Sequence, residues 1–221
     1  MKDFEKEFFI AGPAGPIQAT YHKPDEQGVL FDQKRVAVIC HPHPQHGGTM
    51  DNKVVTTLMR TYRDLGISVV RFNFRGVGKS QGEFDSGRGE FEDLIAVIHQ
   101  TIQDFPENKL MLAGFSFGSS IVARASYSFP LLTHLCLVAP PIERYEYDRD
   151  LQFPVPTCVI QGDKDERVVA QGVYDWCATL KSSVDLIRYA DATHFFHGYL
   201  TQMKQDLTQH LISLFAPLGS H

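Results

Sequence analysis

The sequence has little that would point to a membrane, a nucleic acid or a secretory compartment. It contains no apolar run close to the ~20 residues of a membrane-spanning helix. Its opening segment, MKDFEKEFFIAG, intersperses acids and bases and lacks the continuous apolar stretch of a signal peptide. The 21 basic and 26 acidic side chains form no long run of either sign. We therefore expect a cytoplasmic protein that binds neither nucleic acid nor membrane.

Cysteine is also scarce, which limits the metal and disulfide chemistry of the chain. Three of the four cysteines, Cys40, Cys136 and Cys158, lie in apolar runs, and no paired spacing indicates a zinc site or a disulfide framework. We expect buried thiols. The chain shows no internal repeat, low-complexity segment or linker, and its 221 residues suit one α/β domain. The sequence therefore predicts a single domain over residues 1–221.

What the chain does have is a regular alternation of strand and helix patterns. An opening pair of strands flanks the turn AGPAGP at residues 11–16. The later strand candidates are KRVAVICH (34–41), ISVVRFNF (67–74), KLMLAGF (109–115), HLCLVA (134–139), PTCVIQG (156–162) and VDLIRYA (184–190). Helical apolar stripes occur at Val54, Leu58, Met59, Tyr62 and Leu65, at Phe91, Leu94, Ile95, Ile98 and Ile102, and at Leu200, Met203, Leu207, Leu211 and Leu214.

This alternation predicts the fold class. Continuous Val/Ile/Leu strands separated by amphipathic helices require a mostly parallel sheet that is covered on both faces. We therefore expect an α/β protein built as a three-layer α/β/α sandwich. Ligands of such folds bind at the carboxyl ends of the strands. That edge of the sheet is where polar functional residues are expected.

One serine lies at such a position. Gly114-Phe115-Ser116-Phe117-Gly118 fits the pattern G-x-S-x-G between the strand KLMLA and the helix-compatible segment SSIVARASY. A sharp strand-to-helix turn needs small flanking residues, exposes the serine oxygen above the sheet, and directs helix N–H groups toward a developing negative charge. The alternative is a helix entry that serves packing alone. The strand–turn–helix context favours Ser116 as a nucleophile.

A serine nucleophile needs an acid and then a histidine, each following a later strand. The acid candidates lie in the segment GDKDERV. Asp163 is closest to the strand end and suited to hold the turn, whereas Asp165 lies further out over the edge, so Asp165 is preferred and Asp163 stays as the alternative. In THFFHG, His194 comes first after the last strand and is preferred as the base, with His197 as the alternative.

Acyl transfer also needs fixed donors for the negative oxygen of the tetrahedral intermediate. The backbone N–H of Phe117, next to the nucleophile, is one candidate. The other is expected in the loop HPHPQHGGTM after the first central strand. Proline lacks an N–H, so Pro42 and Pro44 are excluded, and we assign the second donor to His43 with Gln45 as the alternative.

Two further motifs suggest other chemistry and are disfavoured by their residues. His41, His43 and His46 form H-x-H-x-x-H, which could bind zinc, but the loop offers no acidic or cysteine ligand. The segment NFRGVGKS ends like a phosphate-binding loop, but a P-loop needs glycine where this chain has Asn73. We therefore expect no metal and no cofactor, and the glycines of the second segment are interpreted as a tight turn near the site.

These motifs resemble the α/β-hydrolase superfamily over most of the chain, from about Lys34 onward. GFSFG resembles its nucleophile elbow, GDKDERV its acid loop, with the second aspartate as the usual acid, THFFHG its histidine loop, and RFNFRGVGKSQG its R-G-x-G-x-S turn. HPHPQHGGTMDNKVV and RFNFRGVGKSQGEFD are similar to small, capless bacterial hydrolases related to dienelactone hydrolases. Dienelactone hydrolases use a cysteine nucleophile, whereas this chain has Ser116.

The resemblance implies an esterase-like hydrolase with a Ser-His-Asp triad and an acyl-enzyme intermediate. Only residues 140–155 separate the strand HLCLVA from the next strand candidate, which is too few for a large cap domain. Tyr145 and Tyr147 are candidates for the pocket mouth. An open site favours esters of small or medium acyl size. A thioesterase, a peptidase and a non-catalytic interaction protein with the same fold are the alternatives. The oligomeric state is left open, a homodimer included.

Overall fold

A computed structural model describes residues 5–216, and its strands form one eight-stranded sheet. The strands are β1 (Glu5–Gly12), β2 (Gly15–His22), β3 (Arg35–Cys40), β4 (Ser68–Phe72), β5 (Lys109–Phe115), β6 (Leu132–Val138), β7 (Thr157–Gly162) and β8 (Val184–Tyr189). The helices are α1 (Lys53–Asp64), α2 (Arg88–Asp104), α3 (Phe117–Ala125), α4 (Ala170–Thr179) and α5 (Leu200–Phe215), with short 3₁₀ turns at Phe31–Gln33, Pro44–His46 and Ser126–Ser128. The strand order is β1-β2-β4-β3-β5-β6-β7-β8.

The sheet is mostly parallel, as the sequence predicts. The β1–β2 hairpin and the β2–β4 pair are antiparallel, and every pairing from β4 through β8 is parallel. The connections β3–β4, β4–β5, β5–β6 and β7–β8 each carry a helix across a face of the sheet. The carboxyl ends of the parallel strands therefore meet at one edge of the sheet.

Two apolar layers fill the space between the sheet and its helices. Successive residues of β3 point to opposite faces, so Val36 and Val38 belong to one layer and Ala37 and Ile39 to the other. The first layer includes buried residues of α2, α3 and α4, and the second includes those of α1 and α5. The protein is thus a three-layer α/β/α sandwich, which confirms the predicted fold class.

Helix α4 is the one helix of the described chain that the sequence did not predict. Val173 is its only fully buried residue, while Trp176 and Cys177 are partly buried against the α2/α3 layer. A helix that covers the sheet with so few side chains leaves a weak apolar periodicity, which is why the pattern did not reveal it.

The β6–β7 connection, residues 139–156, contains no helix, and its only strand-like feature is an isolated bridge between Arg149 and Gln152. The protein therefore has the capless form that the length of this segment predicts. Cys40, Cys136 and Cys158 are buried in strands, as expected. Among residues 5–216, no helix combines the length and apolarity needed to cross a membrane.

Candidate active site

Ser116 occupies the sharp turn between β5 and α3. Its backbone has φ 52° and ψ −120°, a strained conformation for a residue with a side chain. Its N–H donates to the carbonyl oxygen of Val138 at 2.8 Å, which ties the turn to the end of β6. The surrounding structure therefore holds the strained residue at the carboxyl edge of the sheet.

The glycines on either side of this turn are required by close backbone approaches. A Cβ at Gly114 would lie 2.3 Å from the carbonyl oxygen of Gly118. A Cβ at Gly118 would lie 2.5 Å from the carbonyl oxygen of His41 and 2.6 Å from that of Cys40. The pattern G-x-S-x-G is thus a steric requirement for placing α3 against the strands, and the strand–turn–helix context predicted for Ser116 is present.

Hydrogen bonds join Ser116, His194 and Asp165. Nε2 of His194 lies 3.1 Å from Oγ of Ser116. Nδ1 of the same ring lies 2.8 and 3.0 Å from the two carboxylate oxygens of Asp165. His194 follows β8 and Asp165 follows β7, so two successive strand ends bring both groups beside the serine. All three preferred residues lie together.

The surroundings of Asp165 keep its carboxylate charged and oriented. Burial raises the pKa of this carboxyl group, but the hydrogen bond and charge of His194, together with the N–H groups of Arg167 and Val168, outweigh burial and place the pKa below its ordinary value. The two N–H groups donate to Oδ1 at 2.8 and 2.9 Å. The side-chain amide of Gln161 donates to Oδ2 at 3.2 Å. An anion held in this way favours the tautomer of His194 that has its proton on Nδ1.

The alternative acid and base lie elsewhere. Asp163 bonds the hydroxyl of Tyr174 and lies 3.1 Å from the guanidinium of Arg188, while its own N–H holds the turn through the carbonyl of Tyr189. His197 is exposed on the far side of Phe195, with its ring stacked on that phenylalanine. Neither side chain contacts Ser116.

Both backbone donors proposed for the oxyanion line the pocket that contains Ser116 and His194. Phe117 is the first residue of α3, where a helix N–H has no intrahelical acceptor. His43 lies between the two prolines of its loop, and its carbonyl accepts hydrogen bonds from His46 and Gly48 at 3.1 Å each. These hydrogen bonds stabilise the loop, and His43 lies at the pocket wall.

Both ring nitrogens of His41 are engaged in hydrogen bonds, so this imidazole does not serve as a metal ligand. Its Nδ1–H donates to the carbonyl of Pro42 at 2.6 Å, and its Nε2 accepts from the N–H of Phe74 at 3.0 Å. Burial lowers the pKa of this imidazole to about 4, so the ring is neutral. His43 and His46 stack face to face, with ring centroids 4.2 Å apart. Residues 5–216 bring no three metal-ligating side chains together.

The segment that resembles a phosphate-binding loop is a tight structural turn. Gly78 has φ 58°, and a Cβ there would lie 2.5 Å from the side chains of Asn73 and Gln18. Oγ of Ser80 donates to the carbonyl of Asn73 at 2.6 Å, and Nζ of Lys79 lies 2.6 Å from Glu7. The turn leads to Phe84, whose ring packs on His43, so the segment supports the pocket wall.

Two charged residues of the pocket are not evident from the sequence. Arg144 and Arg167 both line it. Arg144 lies in none of the motifs, and Arg167 lies in the acid-loop segment GDKDERV without a role of its own in that pattern. Exposed arginines in loops are common, so no local pattern distinguishes either residue. Tyr145 lines the pocket as expected, whereas Tyr147 is buried and bonds Ser119 at 2.7 Å. The expectation for Tyr147 at the mouth was therefore wrong, because that side chain packs under the turn.

The fold and the strained serine turn define a capless α/β-hydrolase, and comparisons agree. An alpha/beta serine hydrolase without lid from Xanthomonas campestris is 40% identical, with a TM-score of 0.90 over 99% of this chain and 98% of its own. An alpha-beta serine hydrolase homologue from Coxiella burnetii is also 40% identical, with a TM-score of 0.87 over 93% of this chain and 97% of its own. An uncharacterized protein of Rickettsia prowazekii is 32% identical over 94% of this chain and 89% of its own.

A family model described as "Serine aminopeptidase, S33" matches residues 32–152. The chain belongs to this family of hydrolases within the α/β-hydrolase superfamily. The matched region contains Ser116 and the loop of His43 but ends before Asp165 and His194. The relation to dienelactone hydrolases stays a prediction of the sequence.

Proposed function

We propose that the protein is a serine carboxylesterase that cleaves esters of small or medium acyl size. The observation that carries this proposal is the unbroken line of hydrogen bonds from Ser116 through His194 to Asp165. An imidazole in contact with a serine hydroxyl on one side and a carboxylate on the other is the arrangement that acyl transfer requires. Its position in an accessible pocket supports attack on a bound carbonyl.

In the acylation step, Nε2 of His194 accepts the hydroxyl proton as Oγ of Ser116 attacks the ester carbonyl. The tetrahedral intermediate then expels the alcohol, which takes that proton from Nε2. In deacylation, water gives a proton to Nε2 and its oxygen attacks the acyl group. Collapse returns the proton to Ser116 and releases the acid. Asp165 stabilises the imidazolium that forms in each step.

The backbone N–H groups of Phe117 and His43 are the proposed donors to the oxyanion. A helix N-terminus and a proline-stiffened loop hold such donors in place before substrate arrives, which is where this kind of stabilisation gains its strength. Each such donor typically lowers the barrier by about 2.7 to 4 kcal/mol. Because no cap covers the site, short and medium acyl groups are the proposed substrates.

Covalent labelling tests this proposal directly. A fluorophosphonate should modify the wild-type protein at Ser116, located by peptide mass spectrometry, and Ser116→Ala should remove both the label and the hydrolysis of 4-nitrophenyl esters. Circular dichroism and the melting temperature of the variant serve as the control for folding. An unlabelled Ser116, or a variant that hydrolyses the esters at the wild-type rate, would reject the nucleophile. An unlabelled Ser116 would favour the alternative of a non-catalytic interaction protein with the same fold.

The family description makes peptide cleavage the second candidate, and thioester cleavage shares the same acylation chemistry. An aminopeptidase must bind a free ammonium group, which is commonly held by a carboxylate. The pocket is lined by two arginines and, within the described chain, by no acidic side chain, which disfavours this substrate. A panel of esters, thioesters and aminoacyl amides compared by kcat/KM tests the choice. Faster cleavage of the amides would replace the esterase assignment.

A further inference from the structure

The candidate pocket has a local charge opposite to that of the whole chain. The protein carries a formal net charge of −5, yet the pocket beside Ser116 is lined by Arg144 and Arg167 and, among residues 5–216, by no aspartate or glutamate. Cations concentrated at the mouth of a cleft attract anionic ligands, because the low-dielectric walls focus their field. The charge of the pocket is therefore a feature of the site and does not follow from the composition.

Arg144 is the less neutralised of the two arginines. It lies in the β6–β7 connection, where its N–H donates to the carbonyl of Pro141 at 3.0 Å and fixes the backbone at the pocket rim. In the described part of the chain no carboxylate lies within 4.0 Å of its guanidinium. Burial chiefly lowers the pKa of His43, and the positive charges of His46 and then of Arg144 lower it further. The charge of Arg144 therefore reaches the loop that supplies the proposed oxyanion donor.

Arg167 belongs to the acid loop, which holds it at the same pocket. Its N–H donates to Asp165 at 2.8 Å, and its guanidinium lies over the ring of Phe195, 5.2 Å from the centroid. Glu166 is 3.9 Å away and offsets part of this charge. The same glutamate accepts a hydrogen bond from the N–H of His194 at 3.2 Å. The charge of Arg167 is thus held in place but partly compensated by Glu166. Arg144 is therefore the stronger hydrogen-bond donor to an anionic ligand.

We propose that the substrates of this site are esters that carry a carboxylate, and that Arg144 is the residue that selects them, with Arg167 in support. The inference rests on the proposed esterase function. A guanidinium presents parallel N–H donors that match the two oxygens of a carboxylate, a match that a neutral ester cannot make. The carboxylate can belong to the acyl or to the alcohol part of the ester, since the two arginines line the pocket of Ser116 and His194 from different loops.

Matched pairs of substrates test the preference. On the acyl side, 4-nitrophenyl hemiadipate is compared with 4-nitrophenyl hexanoate, which has the same acyl length and no charge. On the alcohol side, 4-carboxyphenyl acetate is compared with 4-(methoxycarbonyl)phenyl acetate. Each kcat/KM is divided by the rate of hydroxide-catalysed hydrolysis, so that intrinsic reactivity cancels. A charge-assisted hydrogen bond predicts a preference of roughly tenfold or more for the anion in at least one pair.

Two arginines of the same loop provide the variant and its control. Arg144→Met should reduce the ratio of charged to neutral substrate at least severalfold, and Arg144→Lys should restore part of it. Arg149→Met makes the same change in net charge, but Arg149 lies over the ring of Tyr127 and outside the pocket, so the ratio should remain that of the wild type. Added salt should weaken the preference of the wild type.

The outcomes separate this inference from the esterase proposal. Efficient hydrolysis of both members of each pair without preference would overturn the inference and leave the esterase intact. An equal fall of the ratio in Arg144→Met and Arg149→Met would also overturn it, because long-range charge would then explain the effect. Absence of hydrolysis of all four esters by the wild type would instead reject the esterase function itself.

Discussion

Asp165 and His194 are joined by both carboxylate oxygens, at 2.8 and 3.0 Å from Nδ1 of the imidazole. The two side chains come from loops after neighbouring parallel strands, and each is almost fully buried. The carboxylate therefore determines which ring nitrogen carries the proton and leaves Nε2 free to accept one from Ser116. This relationship underlies the first two predictions.

Asp165→Asn should lower kcat by about 10³- to 10⁴-fold on the best 4-nitrophenyl ester, because an amide in this position can leave the wrong tautomer of His194 in place. Steady-state kinetics measure the loss. Asp163→Asn is the matched control, since Asp163 bonds Tyr174 and Arg188 and does not contact the histidine. Comparable losses in both variants would contradict the assignment of Asp165.

His194→Ala should abolish turnover and fluorophosphonate labelling at Ser116, because the serine then has no base in hydrogen-bond contact. His197→Ala should keep wild-type kinetics, since that imidazole is exposed and its ring stacks on Phe195. Labelling rates followed by intact-protein mass spectrometry compare the two. A slow His197→Ala beside an active His194→Ala would reverse the choice of base.

Gly118→Ala should destabilise the protein by about 1 to 3 kcal/mol or more, since the added Cβ would meet the carbonyl oxygens of Cys40 and His41 at 2.6 and 2.5 Å. Gly172→Ala is the contrasting helical glycine. The nearest atom to its added Cβ is a flexible glutamate oxygen at 3.4 Å, so the alanine should stabilise α4 by up to about 1 kcal/mol. Urea unfolding measures both. An unchanged free energy of unfolding in Gly118→Ala would show that the turn around Ser116 tolerates the methyl group.

Because the imidazole of His41 is buried, we expect the folded protein to lose stability in mild acid. Burial lowers the pKa of its imidazole from 6.5 to about 4, so the folded protein keeps the ring neutral while the unfolded chain takes up a proton. Unfolding is therefore favoured as the pH falls from about 6.5 toward 4, by up to about 3 kcal/mol from this residue. His22, whose pKa burial also lowers to about 4, contributes in the same window.

The free energy of unfolding, measured in urea between pH 4.5 and 7, checks this dependence. His41→Asn should lower the stability at pH 7 through its lost hydrogen bonds and reduce the slope with pH. His99→Asn, at an exposed position, should leave the slope unchanged. An unaltered slope in His41→Asn would show that other groups are responsible.

The sequence predicted an element correctly where its apolar pattern is long and its side chains are buried in the structure. The strands β3 to β7 are buried along most of their length, so their apolar runs identified them. α1 begins after Asn52, whose side chain accepts from the N–H of Val54 at 2.9 Å, and presents a clear apolar stripe. α4 presents only Val173 to the core as a fully buried residue, and its pattern was too weak to predict a helix.

The sequence by itself determined the layered fold, the elbow that presents Ser116, and the short lists of acids and imidazoles, because these depend on local patterns that the backbone must satisfy. Only the tertiary structure decided which members of those lists lie together, since a difference of two or three residues in a loop directs side chains to different neighbours. It alone brought Arg144 and Arg167 to one pocket. Their convergence depends on how two distant loops pack at the sheet edge, and no spacing along the chain encodes it.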